Sequence, residues 1–325
     1  MTNEHVLLTG ATGFVGKSLR PALEAAGYQV RGGTRSPERA AASQPGRHFV
    51  HVDTNDERSL REALAGCAGA FYLIHGMASG GDYAARELAG ALAFRRAAEA
   101  EGVQRIVYLG GMRPRGASSR HLESRLLTGQ ALRGGSVPTL ELQATMVVGS
   151  GSESFRMVRD LSARLPLMVL PAWMKSLSQP ISIQDVVVAL LHALAEPPEV
   201  IGAFALPGPE TLSAREILVR TAKLMGHKPY MIGVPFVTPK LSSYWIRLVT
   251  RADFHVATQL VEGLRNDIVH EGPGYWARLP EHRLQSFDDA ARNALAQEES
   301  SLGKRARSIE QLIAHVSPKE PHGRA

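Results

Sequence analysis

One cysteine, Cys67, in 325 residues excludes an intramolecular disulfide and any cysteine-rich metal site, and ties the chain to no oxidising compartment. Long apolar runs are missing too. No stretch reaches the roughly 20 continuous apolar residues of a membrane-spanning helix, and mean hydropathy is −0.10. The opening MTNEHVLLTG carries Glu4 and has no basic segment followed by an apolar one, which predicts no export signal and a cytoplasmic address. HExxH is absent, as is any His/Asp/Glu cluster at metal-ligand spacing, so no metal is expected. There is no internal repeat and no low-complexity tract.

What remains is ordinary globular material, 44% hydrophobic and 21% charged, enough to bury a substantial core. The length suits one large α/β domain or a domain with a smaller one appended. A net charge of +6 and a pI near 9.6 raise the question of nucleic acid. The excess is spread along the chain and is mostly arginine, which points instead to a solvated surface with a pocket for an anionic cofactor.

Through residue 150, short apolar runs alternate with longer helical patterns, the mark of βαβ units and a parallel sheet. Strands are expected at His5–Thr9, Gln29–Thr34, His48–Val52, Ala70–Ile74, Arg105–Leu109 and Thr139–Val148. Helices are expected at Phe14–Ala26, Glu57–Ala65, Gly81–Glu101 and Ser119–Leu132. Right-handed crossovers place such helices on both faces of a doubly wound sheet, with the ligand at the carboxyl ends of the strands. Beyond Gly149, helical patterns at Glu153–Leu165, Ile183–Ala195 and Ser213–Met225 are cut by repeated prolines. Residues 151–298 therefore read as a smaller, mostly helical C-terminal lobe interleaved with the last sheet strands, with further helices near Pro239–Val249, Ala257–Val269 and Phe287–Ala296, the last with Ser286 as N-cap. Residues 299–325 are polar and expected to be partly disordered.

Thr9-Gly10-Ala11-Thr12-Gly13-Phe14-Val15-Gly16 lies directly between an apolar strand and a helix. Gly10 permits a tight turn, Gly13 lets backbone approach a pyrophosphate, and Gly16 lets the helix pack closely on the strand. The free N–H groups and the positive dipole end of the helix then hold the phosphates. The segment resembles the TGxxGxxG pattern of extended and atypical short-chain dehydrogenase/reductases, NmrA-like proteins included. The likeness continues through YLIHGM at Tyr72–Met77, YLGGM at Tyr108–Met112 and QPISIQDVV at Gln179–Val187, and covers most of residues 1–300. It implies an NAD(P)-binding Rossmann domain over residues 1–150.

The choice of dinucleotide is a question of charge at the end of the second strand. In QVRGGTRSPER no carboxylate precedes Glu38, while Arg31, Arg35 and Arg39 are at hand, with Thr34 and Ser36 as hydroxyl donors. NADP is favoured over NAD, with Arg35 at the place where the resemblance implies the phosphate clamp; otherwise these arginines solvate a loop. Asp53, closing the third strand, is implied to bond the adenine amino group, or else caps the following helix. Tyr72, Leu73 and Ile74 are implied to run past the adenosine ribose. His75 is a weak further candidate.

Most members of that superfamily use Tyr-x-x-x-Lys on the helix after the fifth strand, with a hydroxyl at the strand end. Here no lysine lies between Lys17 and Lys175 and no tyrosine between Tyr108 and Tyr230. Leu109-Gly110-Gly111-Met112 offers no hydroxyl either. The helix reads SSRHLESRLL instead, and His121 and Arg125, four apart, are neighbours on one face. His-x-x-x-Arg in place of Tyr-x-x-x-Lys marks a bacterial atypical subgroup. Imidazole can give or take a proton near neutral pH, and Arg supplies fixed charge. The pair is the candidate catalytic set, the alternative being a solvated helix face.

On the substrate side, Gln143, Thr145, Val147 and Gly149 are implied to approach the nicotinamide ring. Phe155, Met157, Met168, Trp173, Met174, Phe236, Tyr244 and Trp245 suggest either an apolar ligand or simple core packing. Ser242–Arg251 is basic and amphipathic, suited to a membrane surface, a quinone-like molecule or burial in the lobe. Three functions follow: an NADP-dependent oxidoreductase acting on an apolar carbonyl or enone, a non-catalytic NADP-binding regulator or assembly factor, and a nucleotide-sugar epimerase or dehydratase. The missing Tyr-x-x-x-Lys counts most against the last.

Overall fold

The computed structural model describes residues 4–74, 83–116, 118–164, 167–227, 230–234 and 266–301. The first half runs β1 (His5–Thr9), α1 (Phe14–Ala25), β2 (Gln29–Thr34), α2 (Pro37–Ser43), β3 (Phe49–His51), α3 (Glu57–Leu64), β4 (Cys67–Tyr72), α4 (Tyr83–Ala100), β5 (Arg105–Gly111), α5 (Arg120–Arg133) and β6 (Thr139–Ala144). The second half adds β7 (Val147–Val148), α6 (Glu153–Arg164), β8 (Leu167–Pro171), β9 (Leu177–Ser178), β10 (Ile181–Ser182) and α7 (Ile183–Ala195). It continues through β11 (Gly202–Ala205), β12 (Leu212–Ser213), α8 (Ala214–Leu224), β13 (Tyr230–Val234) and α9 (Phe287–Ser301).

Seven strands form one sheet in the order β11-β6-β5-β4-β1-β2-β3, every neighbouring pair parallel. A parallel sheet needs both faces covered, and alternation along β1 shows how this is met. Val6 and Leu8 join a core with Leu19 and Leu23 of α1 and Val186 and Leu190 of α7. Leu7 faces the other way, into a core with Leu60 of α3, Phe94 of α4 and Leu132 of α5. A third cluster, with Phe155 of α6, Ile217 of α8 and Phe287 and Ala291 of α9, holds the smaller lobe together.

Four departures from expectation have simple causes. Helix α2 was not anticipated; Pro37 opens it, where a missing N–H costs nothing. The run Thr139–Val148 is two strands, β6 and β7, because β7 leaves the large sheet to pair with β10. The seventh strand, β11, lies beyond β6 and is too short to stand out in the pattern. Helix α9 continues to Ser301, past the expected end, with Ser286 Oγ accepting from Asp289 N at 3.2 Å. The candidate helix at 239–249 and the basic stretch at 242–251 lie outside the described residues, as does most of 257–269. The last residues of that run are not helical, and Ile268 pairs with Ser178 as a parallel bridge. Residues 302–325 are also outside. No helix among the described residues is long and apolar enough to cross a membrane.

Candidate functional site

Strand order 3-2-1 to one side of β1 and 4-5-6 to the other makes the carboxyl end of β1 a topological switch point, where a crevice opens for ligand. The glycine-rich turn sits there. Gly10 has φ +64, and a Cβ on it would lie 2.5 Å from the Leu73 carbonyl oxygen, so both conformation and space require glycine. A Cβ on Gly16 would overlap the backbone of Gly10 and Ala11. Gly13 is different. Its φ of −80 and ψ of 177 suit any residue, it is exposed, and a Cβ there meets only the Gly10 oxygen, at 3.2 Å. Folding asks for glycine less strictly at 13 than at 10 or 16, and close approach of a phosphate to the first turn of α1 gives a further reason for it. The turn thus fits a dinucleotide pyrophosphate. Thr12 beside it is exposed, while Phe14 and Val15 are half-buried.

Two expected contacts are taken up by the fold. Thr9 is fully buried; its hydroxyl donates to the Phe71 carbonyl and accepts from Leu73 N, both at 2.9 Å, stapling β1 to β4. Tyr72 is 2% exposed, with its ring edge-on to Phe94 at 4.9 Å, so its side chain belongs to the core and burial raises its pKa. Any cofactor contact at these two positions is made by backbone. Leu73 is buried and Ile74 half-buried. His75 lies outside the described residues.

At the end of β2 the arginines separate. Arg31 donates to the carbonyls of Ala63 and Ala65, at 3.2 and 2.7 Å, capping the end of α3, and is thereby removed as a phosphate ligand. Arg35 and Arg39 are exposed. Thr34 Oγ1 accepts from Ser36 N at 3.3 Å. Asp53 folds into a local turn, accepting from Asn55 N at 2.9 Å. The cap of α3 is Asp56, which accepts from Arg58 N at 3.0 Å, so capping does not account for Asp53.

Across the switch point, α5 begins with Ser119 as N-cap, accepting from Leu122 N at 3.3 Å. The helix leans on the end of β5. A Cβ on Gly111 would lie 2.5 Å from Leu122 Cδ1 and 3.4 Å from Arg125 Nε, so the bare backbone at the strand end is what admits these side chains. Arg125 Nη2 donates to the Leu109 carbonyl at 2.9 Å, and Tyr108 Oη donates to the Arg125 carbonyl at 3.1 Å. His121 is 9% exposed, and its Nδ1 is buried with no partner among the described residues, as is Arg125 Nε. Burial first, and the Arg125 charge second, push the His121 pKa down to about 3. The ring is therefore neutral at pH 7.

The smaller lobe closes one side of this crevice. A Cβ on Gly149 would lie 2.8 Å from Phe14 Cζ, so the loop after β7 touches the start of α1. Thr145 Oγ1 donates to the Gln179 carbonyl at 2.5 Å, and Gln179 holds His270 by two backbone bonds, at 3.1 and 2.8 Å. Phe155, fully buried, fills the third core, and Met157 and Met174 are buried too, so these three are packing residues rather than an apolar ligand surface. Side chains at Met168, Trp173, Phe236, Tyr244 and Trp245 lie outside the described residues. Sequence reasoning missed Glu141, fully buried on β6; an acid inside the apolar run TLELQ was the available sign. No group of three or more His, Cys, Asp or Glu residues suited to a metal occurs among the described residues.

A family described as NAD(P)H-binding matches residues 10–129. Cinnamoyl-CoA reductase 1 of Oryza sativa subsp. japonica is 31% identical over 115 residues, 32% of this chain and 33% of that protein, so the match spans about a third of the relative's length. Among solved structures, the Citrobacter sp. triphenylmethane reductase complexed with NADP(H) superposes with a TM-score of 0.70 at 16% identity, covering 89% of this chain and 99% of that one. A nucleoside-diphosphate-sugar epimerase from Staphylococcus aureus gives 0.68 at 15% identity, covering 90% and 100%. At such identities the superpositions speak to fold alone, and they share the parallel sheet found here. The glycine turn at the switch point and the match over residues 10–129 agree, and the chain carries an NAD(P)H-binding domain of the Rossmann type.

Proposed function

We propose that the protein is an NADP-dependent oxidoreductase acting on a carbonyl or enone. What carries this reading is the dinucleotide turn at the carboxyl end of β1 together with, at the carboxyl end of β5 in the same sheet, a neutral histidine beside a fixed cation, His121 and Arg125. Bound dinucleotide supplies hydride. The N–H groups of the Gly10–Gly16 turn hold its pyrophosphate, and Arg35, free of ion pairs among the described residues, takes the 2′-phosphate. The solved Citrobacter reductase that shares the fold is complexed with NADP(H); NAD remains the second cofactor to test. Asp53 faces the adenine.

His121 acts on the substrate oxygen. With its pKa pushed to about 3, a resident imidazolium is scarce at pH 7, so the neutral ring polarises the carbonyl through an N–H hydrogen bond as negative charge develops there, and water supplies the proton that completes the reduced product. Burial and, after it, the Arg125 charge keep the ring neutral, and the part of the Arg125 guanidinium not held by Leu109 reaches the nicotinamide ribose. The apolar preference expected for the substrate loses its support from Phe155, Met157 and Met174, which are packing residues.

One observation favours a second reading, a dinucleotide-binding regulator or assembly protein without turnover: His121 is nearly sealed and Arg125 is already committed to the Leu109 carbonyl. Turnover separates the two. Purified protein with NADPH is screened against a panel of carbonyls, enones and quinones by loss of nicotinamide absorbance. Oxidation dependent on one substrate class supports the enzyme; tight NADPH binding with no oxidation across the panel overturns it.

A further inference from the structure

Glu141 and Gln143 are two apart on β6 and so project from the same face of the sheet, the face on which Gly129 and Arg133 of α5 meet Glu141. Glu141 has no exposed surface. Its carboxylate accepts from Arg133 Nε at 2.9 Å and from Gln143 Nε2 at 2.9 Å. Glycines cut the space for it: a Cβ on Gly110 would lie 2.5 Å from Glu141 Oε1, and one on Gly129 would overlap the carboxylate. Gly110 on β5, Gln143 on β6 and Gly129 and Arg133 on α5 are thus given over to enclosing one charged group. Such an enclosed pair adds little to stability over apolar packing. What it does is fix the direction of an amide.

A carboxylate only accepts, so the nitrogen of the Gln143 amide faces Glu141 and its oxygen faces away. That oxygen has no partner among the described residues. Gln143 itself is half-buried and lies opposite Gly110 in the β5–β6 ladder, one position before the Gly111 on which Leu122 and Arg125 pack. In a sheet of this order the first three strands serve the adenosine half of a dinucleotide, and the ends of β4, β5 and β6 serve the nicotinamide half.

We infer that Gln143 is a cofactor-binding residue whose Oε1 accepts a hydrogen bond from the carboxamide N–H of the nicotinamide, with Glu141 as the residue that positions it. The inference rests on the dinucleotide reading above and adds a selectivity to it. A fixed acceptor rejects a ligand that lacks the matching donor. A substrate N–H or O–H is the other source of such a donor, and the test separates the two.

The probes are NADP⁺ and its 3-acetylpyridine analogue, in which a methyl group replaces the carboxamide nitrogen and the ring carbonyl is kept. Dissociation constants are measured by calorimetry on the full chain, without substrate. The wild type is expected to favour NADP⁺ by about 3- to 10-fold, the range of one neutral hydrogen bond. In Gln143→Leu the ratio falls to near one because NADP⁺ weakens while the analogue does not. Gln143→Met, unbranched and of similar volume, serves if the first variant fails to fold. A merely structural role for Gln143 would weaken both probes together. Retention of the wild-type ratio in either folded variant, or equal affinity of the wild type for both probes, overturns the inference and leaves the acceptor to substrate. Absence of binding to both probes overturns the dinucleotide reading and this inference with it.

Discussion

Arg125 donates to the Leu109 carbonyl at 2.9 Å while its charge helps hold His121 neutral. One guanidinium thus ties the start of α5 to the end of β5 and adds to the burial that keeps the residue one turn away neutral. Because Gly111 has no side chain, Leu122 and Arg125 reach the strand end, and the helix is seated by contacts that a hydroxyl-bearing residue there would have obstructed.

The buried imidazole makes stability depend on pH. Its folded pKa of about 3 lies below the ordinary 6.5, so its contribution is complete above about 6.5 and is lost as pH falls toward 3, where the unfolded chain binds the extra proton. Urea unfolding at pH 7 and pH 5 should show the wild type losing about 2 kcal/mol more than His121→Gln across that interval. Equal losses in the two proteins would mean that the ring is hydrated in solution.

Gly13→Val tests the phosphate turn. The backbone at 13 suits valine, but the new Cβ meets the Gly10 carbonyl oxygen at a tight 3.2 Å and valine is a poor N-cap, so a modest fall in melting temperature is expected in a variant that still folds. Dinucleotide binding should disappear, because the side chain fills the space that the pyrophosphate needs. Unchanged affinity in the folded variant would remove the turn from the binding site.

Arg35→Ala tests the choice of cofactor. With Arg31 held by the end of α3, Arg35 is the cation left on the loop directly after β2. Its loss should weaken NADPH by ~1.5–3 kcal/mol, the range of a charge-assisted hydrogen bond, and leave NADH nearly unchanged. Calorimetric titration of both cofactors checks this, and equal losses would assign Arg35 to something other than the 2′-phosphate.

Much of this arrangement was legible in the residues, and the parts that were not have physical reasons. The strand–glycine–helix start at His5–Phe14 was readable because local conformation and ligand approach both constrain it. The core assignment of Tyr72 and the staple made by Thr9 were not, since the last residues of a strand look alike whether they face a ligand or a neighbouring helix. Arg31 and Arg35 are indistinguishable in QVRGGTRSPER; only the position of the α3 carbonyls separates them. The same limit hid Glu141, whose partners Gly129 and Arg133 come from α5. Phe155 illustrates the converse, a large apolar residue that suggested a ligand surface and turned out to fill the third core.

Catalysis provides the last test. If the neutral ring of His121 polarises the substrate oxygen, His121→Ala should lower kcat by roughly 10²–10⁴ with NADPH affinity kept, because the interaction strengthens only as charge develops. The kcat profile of the wild type should then be flat through pH 6.5, since a group with a pKa of about 3 does not titrate there; an imidazolium acid would instead lose rate as pH rises through that value. Arg125→Ala should damage both binding and rate, and should let the His121 pKa rise by removing a nearby positive charge. Turnover by His121→Ala at the wild-type rate would end the mechanism and leave polarisation of the substrate oxygen to His75 or to water.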